Sequence, residues 1–369
     1  MKKVFAVLLA LLLCLVGCAA ELPTDTATAE TTESSVPTET TVPEGNDTPR
    51  MRIGLVNDAA CADEAGYSAA VWNAVTAFSA ENDLDCAEYR AAGESTAERM
   101  EAMETAIAEG CNVLVLPGFL FGGAIYELQD AYPEVIFLGL DIGENELWDY
   151  GADCASIRDN VCCVTFEEAE IGYLAGYAAV AEGYTKLGFV MQEGTPDIYR
   201  LGYGFLQGAD DAAAELSAEV SVTICFSTGG EYNDIASLYQ QWSDAGIELL
   251  LTKPNLLPEQ EQMQVILYDT LRSDASGVIA FAEKGYAAAA KLLLERCLSD
   301  RLEPYCGKVT NLTPADGEYL GFDTEHWGFT AFTPEMYRTV VRELADGIRT
   351  VSNDTENAPE VAISVEYFR

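Results

Sequence analysis

Acidic side chains follow several apolar runs of the sequence, at the positions where strands of a parallel sheet would end. Asp58, Asp141 and Asp269 each come directly after or close behind such a run. A carboxylate at such a position can accept hydrogen bonds from a small polar ligand, and open parallel sheets bind ligands outside the carboxyl ends of their strands. The other strand-end positions are Asn57, Gly118, Phe119, the turn at 192–196 and Thr252. The alternative for Asp58 and Asp141 is that each caps the helix that follows it.

Catalytic chemistry has little support in the sequence. His326 is the only histidine, and no Ser-His-Asp set, zinc-ligand spacing, P-loop or G-x-G-x-x-G accompanies it. A pair of glycosidase-like carboxylates remains open, although no feature selects one. We therefore predict a structural role for His326 and a protein that is not an enzyme, with neither cofactor nor metal.

The elements that would position these residues follow an alternating pattern. Continuous apolar segments alternate with helical patterns, which indicates a parallel, doubly wound sheet. The first half has predicted strands at 51–56, 85–90, 112–116, 135–140 and 161–166, and the second at 187–191, 220–226, 247–252 and 265–268. A strand at 277–281 is expected to return to the first lobe, and helices are expected at 283–299 and 334–348. We thus predict an α/β protein of two lobes, each a parallel sheet flanked by helices, with a cleft between them.

The central stretch of the chain joins these halves. Ile171, Leu174, Ala175, Ala178 and Ala179 lie at helical spacing, which predicts one apolar helix face, and Gly183 stands where a C-terminal cap belongs. The predicted organisation is a signal peptide at 1–17, a linker at 18–50, a first lobe at 51–184 plus 278–305, a second at 185–277 plus 306–350, and a tail at 351–369. Hinge motion is expected at the crossings near 184, 277 and 306.

The composition limits the partners and the compartment. The 369 residues carry a net charge of −41, which disfavours nucleic acid and anionic lipid surfaces as partners. Lys2, Lys3 and the apolar run that follows predict a secretion signal too short to span a membrane. The residues that lead into Cys18 resemble a bacterial lipobox, which implies a lipid anchor on Cys18. The alternative is a plain signal peptide that precedes an unmodified cysteine.

The cysteines are compatible with an exported protein but do not define a pairing. Because Cys14 would leave with the signal peptide and Cys18 would carry lipid, nine of the 11 cysteines remain, an odd number. At least one is then free or intermolecular. Cys162 and Cys163 are adjacent on a predicted strand and should point to opposite faces of its sheet.

Three motifs carry a resemblance to a known family. The segments TFEEAEIGYLAGYAA, KLGFVMQ and RLGYGFLQGA occur in this order between residues 165 and 209. They resemble the signature of the BMP family, the PnrA-like substrate-binding lipoproteins of ABC transporters, and the similarity covers most of residues 51 to 350. The resemblance implies a type 1 periplasmic-binding-protein fold that binds a small polar ligand, in this family a nucleoside.

The resemblance also implies a set of ligand-binding residues. Asp58, Asp63 or Asp269 would accept hydrogen bonds from base or ribose, and Tyr67 or Phe119 would stack on a flat ring. The full set is Asp58, Asp63, Tyr67, Gly118, Phe119, Asp141, Arg200, Leu201, Asp269 and Lys284. The alternatives are core packing for the two aromatic rings, a surface position for Arg200 and an ordinary helix charge for Lys284.

The sequence departs from the family pattern at several of these positions. Leu201 replaces a phenylalanine, Tyr199 replaces an arginine, and Lys253-Pro254-Asn255 replaces a glycine-rich loop. The resemblance as a whole implies a monomeric, membrane-anchored protein that delivers its ligand to an ABC permease with its ATPase, and the departures bear on which ligand it binds. A lipoprotein that senses a different ligand with the same fold is the alternative.

Overall fold

The computed structural model describes residues 50–368, except 60–65, 148–156, 192–193, 227–234, 259–262, 269–275, 314–315 and 318. Asp63, Asp269 and Cys18 lie outside the described residues, as do the predicted signal peptide and nearly all of the linker. Eight of the ten predicted ligand-binding residues are described.

Thirteen strands are described. They are β1 (Arg52–Asn57), β2 (Asp85–Arg90), β3 (Val113–Pro117), β4 (Ile136–Leu140), β5 (Val161–Phe166), β6 (Lys186–Val190), β7 (Ser221–Cys225), β8 (Leu249–Thr252), β9 (Gln264–Tyr268), β10 (Val278–Lys284), β11 (Lys308–Leu312), β12 (Leu320–Phe322) and β13 (Ser364–Tyr367). All nine strands predicted before residue 270 are present, with ends shifted by a few residues.

The described helices alternate with these strands. They are α1 (Tyr67–Glu81), α2 (Thr96–Ala108), α3 (Gly122–Leu128), α4 (Glu144–Leu147), α5 (Glu168–Glu182), α6 (Pro196–Leu216), α7 (Ile235–Ala245), α8 (Tyr286–Leu298) and α9 (Pro334–Ala345). The predicted C-terminal cap of α5 is confirmed, because Gly183 adopts a left-handed φ of 114°. That conformation suits glycine, which has no Cβ to clash.

The first sheet has the strand order β11-β5-β4-β3-β1-β2, and its paired strands are all parallel. Helices α1 and α8 cover one face, and α2 and α3 cover the other. Because both faces are buried, strands such as β3 (VLVLP) are continuously apolar rather than alternating. The two adjacent cysteines follow the predicted geometry, since Cys162 and Cys163 belong to the cores on opposite faces.

The second sheet has the order β12-β10-β9-β8-β6-β7-β13, in which only the pairing of β12 with β10 is antiparallel among the described strands. Helices α5, α6 and α9 pack on one face, and α7 packs on the other. The α/β architecture with parallel sheets flanked by helices is therefore confirmed.

Several predicted strand memberships are wrong. The strand expected to return to the first lobe, β10, pairs with β9 and β12 of the second sheet, and only α8 returns to the first. Conversely, β11 pairs with β5 in the first sheet, α5 packs on the second sheet, and the tail beyond residue 350 adds β13 beside β7. An apolar run predicts a strand, but its pairing partner depends on contacts with distant segments.

Helices α5 and α6 approach each other more closely than side chains usually allow. A Cβ on Gly172 of α5 would lie 1.9 Å from the carbonyl oxygen of Leu201, and one on Gly204 of α6 would lie 1.9 Å from that of Ala169. The two helix backbones are thus in direct contact along these glycines. This contact fixes the position of α5, which begins directly after β5 of the first sheet.

The chain passes between the two sheets at residues 166–168, 284–286 and 312–320, and not at the positions near 184, 277 and 306 expected from sequence. Acidic side chains gather at two of these crossings. The amide of Asn311 donates to Glu167 at 2.7 Å, and the Glu167 backbone N–H donates to Leu312 at 3.0 Å. Burial, together with the charges of Glu167 and Asp316, raises the pKa of Glu170 to about 7.

We expect this carboxyl to make the stability of the protein depend on pH. A carboxyl group whose pKa rises on folding favours the folded state while it is protonated, and that contribution disappears as pH rises from about 4.5 to about 7. The substitution Glu170→Gln should therefore raise the free energy of unfolding at pH 8 by about 1–2 kcal/mol, with little effect near pH 4.

Urea denaturation at the two pH values measures this difference. Glu101→Gln, on the exposed face of α2, is the matched control and should change neither value appreciably. An equal effect of Glu170→Gln at both pH values would contradict the assignment.

Candidate functional site

The site forms where strand ends of the two sheets meet. Asp141 directly follows β4 of the first sheet and has a left-handed φ of 60°, a conformation that aspartate tolerates better than most residues. Its carboxylate accepts hydrogen bonds from Lys284 Nζ at 2.8 and 3.1 Å and from the Tyr286 hydroxyl at 2.6 Å. Asp141 thus contacts two residues from the crossing between β10 and α8.

Lys284 is the last residue of β10, and not part of the following helix as the sequence suggested. Its side chain is only 4% exposed, and Nζ also lies 3.0 Å from a carboxylate oxygen of Glu168. Burial alone would lower the pKa of this ammonium group, but the charges of Asp141 and other nearby acidic groups outweigh it and hold the pKa well above its usual value. Lys284 therefore remains charged between two carboxylates from the first sheet's strand ends.

Glu168 extends the cluster to the second sheet's helices. It is the first residue of α5, is 4% exposed, and accepts a hydrogen bond from Arg200 Nε of α6 at 3.0 Å. Burial raises the pKa of Glu168, and the charges of Lys284 and Arg200 offset part of that rise. The order of contacts is therefore Asp141, Lys284, Glu168 and Arg200, with alternating charge.

Aromatic rings lie beside the ionic cluster. Tyr67, at the start of α1, stacks on Tyr286 with ring centroids 4.8 Å apart and an interplanar angle of 22°, and Phe166 packs against the same ring at 5.3 Å. Gly118 follows β3, and a Cβ there would lie 3.2 Å from the Tyr67 hydroxyl oxygen. The neighbouring Phe119 is 58% exposed. A largely exposed phenylalanine ring is a suitable surface for a flat ligand ring.

The second sheet contributes further polar groups at its strand ends. The Thr252 hydroxyl donates to the Val190 carbonyl at 3.0 Å, and Lys253 Nζ lies 5.5 Å from the ring centroid of Tyr268. Asp197 lies in the first turn of α6. Burial would raise the pKa of Asp197, but a hydrogen bond with Thr195 and the charges of Lys284 and Lys253 lower it. Asp197 is therefore ionised, and it lies close enough to Lys284 and Lys253 for their charges to lower its pKa.

Some of the predicted ligand-binding residues lie at or beside the ionic cluster, and others have different surroundings. Asp141, Lys284 and Arg200 belong to the ionic cluster, and Tyr67 and Gly118 adjoin it through Tyr286. Asp58 forms a buried ion pair with Arg99, so its carboxylate already has a cationic partner. Leu201, on α6, is completely buried in the apolar core that α5 and α6 share.

Four residues of this region are not among those predicted from the sequence: Glu168, Tyr286, Arg99 and Asp197. Glu168 follows β5 by two residues, so the strand-end criterion that selected Asp141 should also have selected it. Arg99 gave no such signal, because its partner Asp58 is 41 positions away on a different element.

One group of described residues has donors close enough to hold a metal ion. Asp323, Glu325 and His326 each offer an atom within 4.8 Å of the others. His326 Nδ1 lies 2.7 Å from one carboxylate oxygen of Asp323, and the other oxygen accepts from the Glu325 backbone N–H at 2.9 Å. These contacts describe an ordinary aspartate-stabilised turn. We assign it no metal.

We expect removal of the Lys284 charge to be strongly destabilising. Lys284→Met would leave Asp141 and Glu168 buried without their shared cation, which costs about 3–5 kcal/mol of unfolding free energy. Lys291→Met is the control, since its ammonium group is half exposed and lies 3.8 Å from Glu295, and it should cost less than about 1 kcal/mol. Chemical denaturation of both variants tests this, and equal losses would show that Lys284 is not the shared counter-ion.

Comparisons with known proteins agree with this architecture. The family described as "ABC transporter substrate-binding protein PnrA-like" matches residues 51–244. A solute-binding protein of an ABC transporter system from Conexibacter woesei DSM 14684 has a TM-score of 0.62 at 15% identity, over 82% of this chain and 99% of that one. Solute-binding proteins from Aeropyrum pernix K1 give a TM-score of 0.55 at 16% identity, over 83% and 88% of the two chains.

A transcriptional activator of the comK gene from Bacillus halodurans also shares the fold, with a TM-score of 0.57 at 16% identity over 84% of this chain and all of that one. Within the described part of the chain, no helix is long and apolar enough to cross a membrane. The family match covers more than half of the chain, and the solute-binding proteins share its two-sheet architecture. The chain therefore belongs to the Bmp family of PnrA-like ABC transporter substrate-binding proteins.

Proposed function

We propose that this substrate-binding protein takes a nucleoside between its two sheets and delivers it to an ABC permease. The observation that carries the proposal is the contact between the ionic cluster around Lys284 and the stacked rings of Tyr286 and Tyr67. The exposed Phe119 follows Gly118, whose backbone approaches the Tyr67 hydroxyl. A nucleoside combines a flat base, which needs an aromatic surface, with ribose hydroxyls, which need charged or polar partners.

The roles of individual groups follow from their exposure. Phe119 offers a ring face, whereas Tyr67 already shares one face with Tyr286. Arg200 keeps 31% of its side chain exposed while it holds Glu168, so its remaining N–H groups can donate to ribose oxygens. The resemblance to the family adds Asp269 and Asp63 as acceptors for hydroxyl and base N–H groups, and both belong to this proposal.

The anchoring of the protein completes the proposal. Binding proteins of ABC importers act outside the cytoplasm, and the lipobox-like sequence before Cys18 supports a lipid anchor at that residue. The segment 19–50, rich in threonine, glutamate and proline, would then tether the folded part at a distance from the membrane.

Ligand identification tests the proposal directly. Mass spectrometry of small molecules that co-purify with residues 51–369, followed by thermal shift and calorimetry with a nucleoside panel, should reveal selective nucleoside binding. Ligand at about 100 times its Kd should stabilise the protein by roughly 2.7 kcal/mol. A flat response to the panel together with a different co-purified molecule would contradict nucleoside binding.

A pair of exposed apolar residues provides the matched variants. Phe119→Ala should weaken nucleoside binding by about two- to tenfold, because stacking contributes roughly 0.5–1.5 kcal/mol beyond burial. Ile348→Ala, at a 71% exposed position on a different part of the chain, should leave the affinity unchanged. Unfolding curves of both variants should match the parent, since neither side chain is buried.

A further inference from the structure

Two cysteines distant in sequence lie side by side in the first sheet. The Sγ atoms of Cys162 and Cys306 are 3.4 Å apart, although the residues are 144 positions apart. Cys162 lies in β5 and is completely buried, whereas Cys306 lies two residues before β11 and is partly exposed. The backbone N–H of Gly307 donates to the Val161 carbonyl at 2.9 Å, so the two segments are already held in register next to these sulfurs.

The neighbouring thiols are less suited to pair with Cys162. Cys163 belongs to the core on the opposite face of the sheet, so its sulfur points away from Cys306. Cys111 is buried there too, where its sulfur lies 3.6 Å from the Tyr89 hydroxyl. Cys297, near the end of α8, and Cys86, in β2, are partly buried and pack against the same apolar cluster as Cys306, which makes these two the described competitors.

We propose that Cys162 and Cys306 form a disulfide bond when the protein is outside the cytoplasm. The inference rests on the extracytoplasmic part of the proposed function, because thiols stay reduced in the cytosol and oxidise outside it. It does not depend on the ligand. The bond would define one pair among the cysteines that the structure describes.

The reaction needs an oxidant that carries a disulfide, either a small molecule or an oxidoreductase. The partly exposed Cys306 loses its proton and attacks that disulfide, which forms a mixed disulfide and releases one oxidant thiolate. Cys162 then loses its proton, attacks the Cys306 sulfur and releases the second thiolate. Two electrons and two protons pass to the oxidant, which leaves as two thiols. Burial and the contact with Cys306 raise the pKa of Cys162, which is consistent with Cys162 acting second.

The bond would secure the edge of the first sheet. Strand β11 reaches this sheet only after the chain has built most of the second one, and it pairs with β5 alone. A disulfide at its start would prevent β11 from detaching. It would also close a long loop in the unfolded chain, a situation in which a cross-link removes much conformational entropy.

Peptide mapping of exported protein tests the pairing. The full chain, secreted through its own N-terminal segment, is denatured without reductant, alkylated and digested. The expected result is one cross-linked species that joins the peptides of Cys162 and Cys306, about 2 Da lighter than the two thiol peptides together. Alkylation of both residues, or a link between Cys306 and Cys297, would overturn the proposal.

Thermal unfolding of the same protein gives an independent readout. Reduction should lower the Tm of the parent protein by several degrees. Cys306→Ser and Cys306→Ala should abolish that response, whereas Cys297→Ser and Cys111→Ser should retain both the cross-linked peptide and the response. A reduction-sensitive Tm that persists without Cys306 would also overturn the pairing. Neither readout involves nucleoside, so a failure of the ligand proposal leaves this test unaffected.

Discussion

Lys284 places one ammonium group between the carboxylates of Asp141 and Glu168, in a region from which water is largely excluded. Burying these three charged groups away from water is costly, and the opposite charges beside them offset that cost. The free energy of each buried group therefore depends on the presence of the others. Because Lys284 belongs to the second sheet and Asp141 to the first, this interaction also defines how the strand ends of the two sheets meet. A ligand that binds here enters a site whose charges are already balanced and positioned, which reduces the reorganisation required on binding.

The geometry of that cluster depends on helix packing some distance away. Glu168 begins α5, and α5 is held against α6 by backbone contacts at Gly172 and Gly204. Arg200, on α6, meets Glu168 from the other side. The same glycine contacts that pack the two helices therefore set the distance between this acid and its two cations. A larger residue at either glycine would move Glu168 relative to Lys284 as well as weaken the core.

The sequence predicted much of the fold because its signals are local. Strands and helices follow from apolar runs and periodicity, and Asp141 was found because it directly follows a strand. Pairings between distant segments had no such signal. Lys284 was placed on a helix because the turn at Gly285 was not recognised, and β11 was assigned to the wrong sheet because its partner β5 lies far back in the chain. Asp58 was expected to face a ligand, but Arg99 from α2 pairs with it.

A double-mutant cycle with Lys284→Met and Asp141→Asn tests the central interaction most directly. Asparagine tolerates the left-handed backbone at position 141, so the substitution removes charge with little strain. If the two residues stabilise each other, the double variant should lose at least about 1 kcal/mol less unfolding free energy than the two single variants added together. Losses that add within about 0.3 kcal/mol would mean that Lys284 and Asp141 act independently, and the buried ion pair would not organise the site.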